Sequence, residues 1–276
     1  MSRLPISWLI ELTKRMRRLP VGIRRPERLR VYLGGTWLAV CRVKGGFRPV
    51  VRIKAILPSA VPSHDGNHTV SAALTALTEW LHAHPLRGGI EWVVGIDYVR
   101  YLLLPWDERL ANRSFCRTLA AALFAQQCPG EDVPFSAFRL RLAPLRFGQP
   151  RVAALIPVEI VNELTEFAPR HQCRTRRITP TLGVVWNRFF SLVKNEAGVL
   201  ALVEGQRLIR VGYDHGHVTS LSVQPFSDQR RAYIQQNVTR FFPARNMAAP
   251  ANGELALQGL VPGDDVRVAY ALCGVF

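Results

Sequence analysis

The feature that most constrains this chain is a pattern that occurs twice. Residues 30–56 (RVYLGGTWLAVCRVKGGFRPVVRIKAI) alternate apolar and polar side chains and are cut by two Gly-Gly pairs. That predicts strands near 30–34, 36–43 and 47–56, with a hairpin at Lys44-Gly45-Gly46. A helix over 69–84 follows, with Val70, Ala73, Leu74, Leu77 and Leu81 as its apolar stripe. Residues 198–204, 207–213 and 217–224 predict a second three-strand meander, and 227–241 a second helix. Strands followed by a helix, twice over, predict two related lobes packed around a cleft.

Between the two meanders the chain reads as mixed α and β. A mostly apolar run at 90–96 predicts a strand buried on both faces, and a turn at Asp97-Tyr98 leads to a strand at 99–104. A helix over 107–128 is expected to begin near Asp107. Strands at 137–143 and 151–156, joined through Arg146-Phe147-Gly148, precede a helix at 157–170 opened by Pro157. A strand at 173–178 and a helix at 180–194 complete this half, and two last strands, 254–260 and 266–275, flank Pro262-Gly263-Asp264-Asp265. Ahead of it all, residues 5–19 predict a short amphipathic helix, and Pro20 and Pro26 bracket an extended connector. The expected division is a basic arm over 1–29, a first lobe with insertions over 30–196 and a second lobe over 197–276.

Charge separates the arm from the body. The chain is formally +16, yet residues 1–30 hold nine Lys and Arg against Glu11 and Glu27, which leaves +9 for the other 246 residues. Trp8, Leu9 and Ile10 lie beside Arg15, Arg17, Arg18, Arg24 and Arg25. That combination suits a helix lying on an anionic membrane face or docked to an acidic partner, each basic residue contributing about 1 kcal/mol near anionic lipid. Nucleic acid is the weaker partner class, because aromatic residues are not interleaved with the basic ones and no helix-turn-helix or zinc finger occurs. The five cysteines (Cys41, Cys116, Cys128, Cys173, Cys273) are odd in number, widely spaced and without a CxxC, which argues against a disulfide framework or a zinc site. No apolar run approaches 18 residues, and the start lacks a small-residue cleavage site, so a cytoplasmic placement is expected.

Three stretches carry a resemblance. Val31-Tyr32-Leu33-Gly34-Gly35-Thr36-Trp37-Leu38-Ala39-Val40 is similar to a first phosphate loop, and Leu200 to Leu208, around Gly205, stands where a second would be. Gly95-Ile96-Asp97-Tyr98 to Trp106 resembles a strand-turn-strand segment between them. Together they resemble the actin-like ATPase superfamily, and within it the pilus-assembly PilM and type II secretion GspL cytoplasmic-domain proteins. The resemblance implies a two-lobed actin-like (ribonuclease H-like) α/β fold with mixed sheets flanked by helices. It also implies a cytoplasmic scaffold peripheral to the inner membrane, which binds a short segment of an inner-membrane pilus or secretion component in a groove. Homo-oligomer contacts through strand edges fit the same picture.

The departures from that family bear on chemistry. Aligning the first loop's glycine with Gly35 puts Leu33 where the family places a magnesium-organising aspartate, and Val203 falls at the equivalent place in the second loop. Leucine and valine offer a hard cation no oxygen. Phosphoryl transfer depends on the metal and on positioned charge, so no catalytic residue, metal or cofactor is expected, and ATP would at most rest weakly on backbone N–H groups. The vestigial nucleotide residues are then Gly34, Gly35, Thr36, Asp97 and Gly205. A divergent ATP-using enzyme is the alternative, with Asp97 as its key acid; nucleic-acid binding through the arm is a third. Asp214-His215-Gly216-His217 is expected at a hairpin tip, as a polar turn. Ser114 and Cys116 lie on a helix with no nucleophile signature, and Glu79, Glu91 and Asp107 sit near element ends as ordinary polar residues.

Overall fold

The computed structural model describes residues 27–35, 37–45, 50–58, 70–86, 88–127, 133–204, 207–226 and 240–242. The arm over 1–26, the strands expected at 254–260 and 266–275, and most of the helix expected at 227–241 lie outside the described residues.

The first meander forms as β1 (Glu27–Leu33), β2 (Trp37–Lys44) and β3 (Val50–Pro58). Helix α1 (Val70–Ala83) then carries the chain to β4 (Gly88–Val94), which pairs parallel to β1. With β8 (Arg174–Pro180) the five strands stand in the order β3-β2-β1-β4-β8. β1 and β4 are central and covered on both faces, so Val31, Tyr32, Leu33, Ile90, Trp92 and Val94 are buried with little alternation. One acid fixes this register. Glu91, only 6% exposed, opposes Arg30 across β1 and Arg177 across β8. Its carboxylate meets Arg30 Nε at 3.0 Å, Arg177 at 3.4 Å and Arg28 at 3.5 Å. A buried carboxylate is tolerated only when opposite charge compensates its lost hydration.

An insertion leaves the end of β4. β5 (Arg100–Leu104), β6 (Phe138–Leu142) and β7 (Arg151–Pro157) form an antiparallel sheet in the order β5-β7-β6, with α2 (Arg113–Gln127) against it. It has its own core, including Leu104, Cys116, Phe124, Phe138 and Leu155. The helix begins later than the sequence suggests. Asp107 instead caps a short 3-10 turn, Glu108–Ala111, and Asn112 Oδ1 accepts from Ser114 N at 2.8 Å to open the helix proper.

Helices α3 (Val158–Arg170) and α4 (Thr181–Val193) flank β8. The second meander is β9 (Ala197–Glu204), β10 (Arg207–Asp214) and β11 (His217–Pro225). Residues 240 and 241, expected to end a helix, instead form with Phe242 a fourth strand, β12 (Arg240–Phe242), parallel to β9. The Phe241-Phe242 pair favours a strand, and β9 offers it an open edge. The order β11-β10-β9-β12 repeats β3-β2-β1-β4, an antiparallel meander joined by a parallel strand on the first strand's free side. One core is continuous from Val31 and Val94 through Leu182 and Val185 of α4 to Leu200 and Ile209 of the second sheet.

Candidate functional site

Three strand ends and one helix start converge between the two repeated sheets. β1 and β4 run parallel with Leu33 opposite Val94, so the loops that follow, Gly34-Gly35 and Gly95-Ile96-Asp97, leave side by side. β9 brings Glu204 to the same place, and α4 brings its first residue, Thr181. Clefts at the carboxyl ends of parallel strands are where α/β folds hold ligands.

Here the loops hold each other. Gly34 N donates to Trp37 O at 3.0 Å, Gly95 N to Leu33 O at 2.8 Å, Gly35 N to Asp97 Oδ2 at 3.0 Å and Ile96 N to Glu204 Oε1 at 3.1 Å. Of the vestigial residues expected from sequence, Gly34, Gly35 and Asp97 are thus brought together; Thr36 and Gly205 lie outside the described residues. Trp8 and the five arginines singled out in the arm lie outside them too.

The sequence reading missed the residue at the centre. It placed the lost metal-ligand position of the second loop at Val203, leaving an apolar crevice. The side chain that reaches across is its neighbour Glu204, 1% exposed, so the crevice does contain a carboxyl. Tyr32 from β1 donates its hydroxyl to Glu204 Oε1, and Thr181 Oγ1 lies 3.3 Å from the same oxygen and 3.0 Å from Val94 O. Glu204 Oε2 is buried with no hydrogen-bond partner. Burial pushes the Glu204 carboxyl up to about 7, with the Asp97 charge acting in the same direction, against the bonds from Tyr32, Ile96 and Thr181 that favour the ionised form. The only sequence signal was an acid closing the apolar run Leu200-Ala201-Leu202-Val203.

Tyr32, also 1% exposed, fills the space between the two glycine loops. A Cβ on Gly34 would stand 3.0 Å from the Tyr32 ring. One on Gly95 would meet Glu204 Oε1 at 2.5 Å, Leu33 O at 2.7 Å and Tyr32 Oη at 2.9 Å. The glycines therefore serve close packing around the phenol and the carboxyl.

An open concavity lies elsewhere. A groove of about 380 Å³ runs between the insertion sheet, α4 and the β10–β11 hairpin. Leu182, Trp186, Phe190, Val211 and Val218 make its floor, and Arg141 and Arg146 stand among its lining residues. The hairpin tip is the polar turn expected from sequence. His215 and Gly216 both have positive φ, 45° and 78°, and Gly216 N donates to Val193 O at 2.9 Å, which anchors the turn on the end of α4. Cys116 is buried against Leu110 O, and Glu79 is an exposed residue of α1. Among the described residues, no three His, Cys, Asp or Glu side chains cluster.

No family model matches the chain, and no curated protein does. Solved structures do. The cytoplasmic domain of EpsL, an inner-membrane component of the type II secretion system of Vibrio cholerae, aligns over 89% of this chain and 94% of its own, at 9% identity and a TM-score of 0.54. A PilM-PilN type IV pilus biogenesis complex aligns over 77% of this chain and 66% of that one, at 16% identity and a TM-score of 0.52. The fold is that of the actin-like ATPases. A protein described as having this fold and unknown function, from Bacteroides thetaiotaomicron, aligns at 9% identity over 79% of this chain and 77% of that chain, with a TM-score of 0.49.

Proposed function

We propose that this actin-like body is a non-catalytic docking scaffold, a pseudo-ATPase that works at the inner membrane in an assembly akin to a type IV pilus or type II secretion machine. One observation carries the reading: the backbone N–H groups that would cradle a phosphate already donate inside the protein. Gly35 N serves the Asp97 carboxylate, and Gly34 N serves Trp37 O. A phosphate entering there would have to displace a carboxylate of its own sign. It would also have to expel the Tyr32 phenol from its place against Glu204. Magnesium fares no better, since it needs several open oxygen ligands in octahedral array and Glu204 Oε1 already accepts from the Tyr32 hydroxyl and Ile96 N. The residues present do not fit a magnesium-nucleotide.

Likeness to EpsL and PilM supports the setting, and the groove supplies the surface. Its aromatic and aliphatic floor suits an apolar peptide segment of a membrane partner, oriented by Arg141 and Arg146. The test is a photo-crosslinking amino acid at Asn187, which is exposed beside the groove, in cells carrying the native envelope machinery. Recovery of an inner-membrane assembly component, lost in a Trp186→Ala variant, is expected. Crosslinks to metabolic enzymes alone, or to nothing, would overturn the reading.

A further inference from the structure

We infer that the loop between β6 and β7 is a membrane-contact tip that seats on anionic lipid. This goes beyond the docking reading, which needs the groove but no lipid contact. Phe147 is 86% exposed and Leu145 40%, among the largest apolar exposures of the described residues. Isolated exposed hydrophobes are ordinary on protein surfaces. This one is not isolated, because it is held out by built structure. The Trp106 ring meets the Phe147 ring edge-on at 5.0 Å. Gly148, at φ 71° with open space around it, turns the chain at the tip, and Gln149 N closes the turn on Arg146 O at 3.3 Å. Arg151 pins the base, its Nε donating to Ala143 O and its Nη1 to Leu110 O, each at 2.7 Å. An apolar tip braced in this way gives up little conformational freedom on entering an apolar environment.

Charge chooses the occupant. From Val133 to Val158 the chain has no Asp or Glu, and it has four arginines, Arg139, Arg141, Arg146 and Arg151. Arg139, Arg141 and Arg146 are exposed, and Arg146 leans on the Phe190 ring at 5.7 Å. Asp107, next to Trp106 in sequence, is bound to Arg109 at 2.8 Å. Aromatic and aliphatic side chains at a tip with arginines behind it match the two layers of a bilayer surface, acyl boundary and anionic headgroups.

The test is vesicle co-sedimentation of the full chain with phosphatidylcholine alone and with phosphatidylglycerol added. The basic arm adds its own attraction, so the readout is placed on the loop. Phe147→Ser is expected to lower partitioning onto anionic vesicles by about tenfold, roughly what removing one partly inserted aromatic side chain should do. Phe147→Trp is expected to retain binding, and its added fluorescence to be quenched by lipids brominated along their acyl chains. Partitioning of Phe147→Ser within twofold of the parent, or no bromolipid quenching of Phe147→Trp, would overturn the inference. Either result would leave the groove crosslink to be judged on its own.

Discussion

Glu204 offers a prediction whose sign and size follow from the site. Its carboxyl is raised from 4.5 to about 7 by burial, with the Asp97 charge adding to the effect. The other groups facing it are Tyr32, Thr181, the Ile96 amide and the Tyr101 phenol, itself raised by burial. Between these pH values the folded chain keeps a proton that the unfolded chain has released. Stability therefore falls as pH rises through that window, and above about 7 the fold bears the full cost of an ionised buried acid. At 1.36 kcal/mol per pH unit, the gap amounts to about 3 kcal/mol. Glu204→Gln keeps the shape and can accept from Tyr32 and Ile96, but it cannot ionise. The assay is urea unfolding of both proteins between pH 4.5 and 8.5, with one curve subtracted from the other so that other titrating groups cancel. The variant is expected to gain on the parent steadily across the window, by about 3 kcal/mol at pH 8. Parallel curves would refute the reasoning, since they would mean that the carboxyl is hydrated or neutralised by an unseen partner.

Gly95→Ala should destabilise the chain by about 1–3 kcal/mol in the same assay, because its Cβ would press on Glu204, Leu33 O and Tyr32 together. Glu91→Ala leaves Arg28, Arg30 and Arg177 facing one another across three paired strands, and should cost about 3 kcal/mol, with most of the loss returned by Glu91→Asp if charge rather than shape is responsible. Phe124→Ala opens the insertion core beside Phe135 and Phe138 and should cost about 3–5 kcal/mol, read as a lower unfolding midpoint.

Much of the fold was legible because its signals are local. Alternation cut by paired glycines gave the first meander and alternation with short polar turns the second, and β4 showed itself as an apolar run because parallel central strands are covered on both faces. Helix starts were less legible. Asp107 and Asn112 are both good caps, and only the turn made by Glu108–Ala111 decides between them. β12 was misread because three residues carry no period, and their strand character comes from the β9 edge, far away in sequence. The site was half legible. Gly34, Gly35 and Asp97 could be named from the loops, yet Glu204 was passed over for Val203, since a one-residue shift in a strand exchanges the face that a side chain occupies. Tyr32 could not have been chosen at all: its role depends on contact with a residue 172 positions away.

The most direct measurement is calorimetric titration of the full chain with ATP and magnesium near neutral pH. No binding heat at millimolar nucleotide is expected, from the parent and from Asp97→Ala alike, because the Tyr32–Glu204 contact still fills the crevice once Gly35 N is freed. Micromolar affinity that requires magnesium, accompanied by turnover that Asp97→Ala abolishes, would show that the loops open to a nucleotide and that the closed crevice is not the working state.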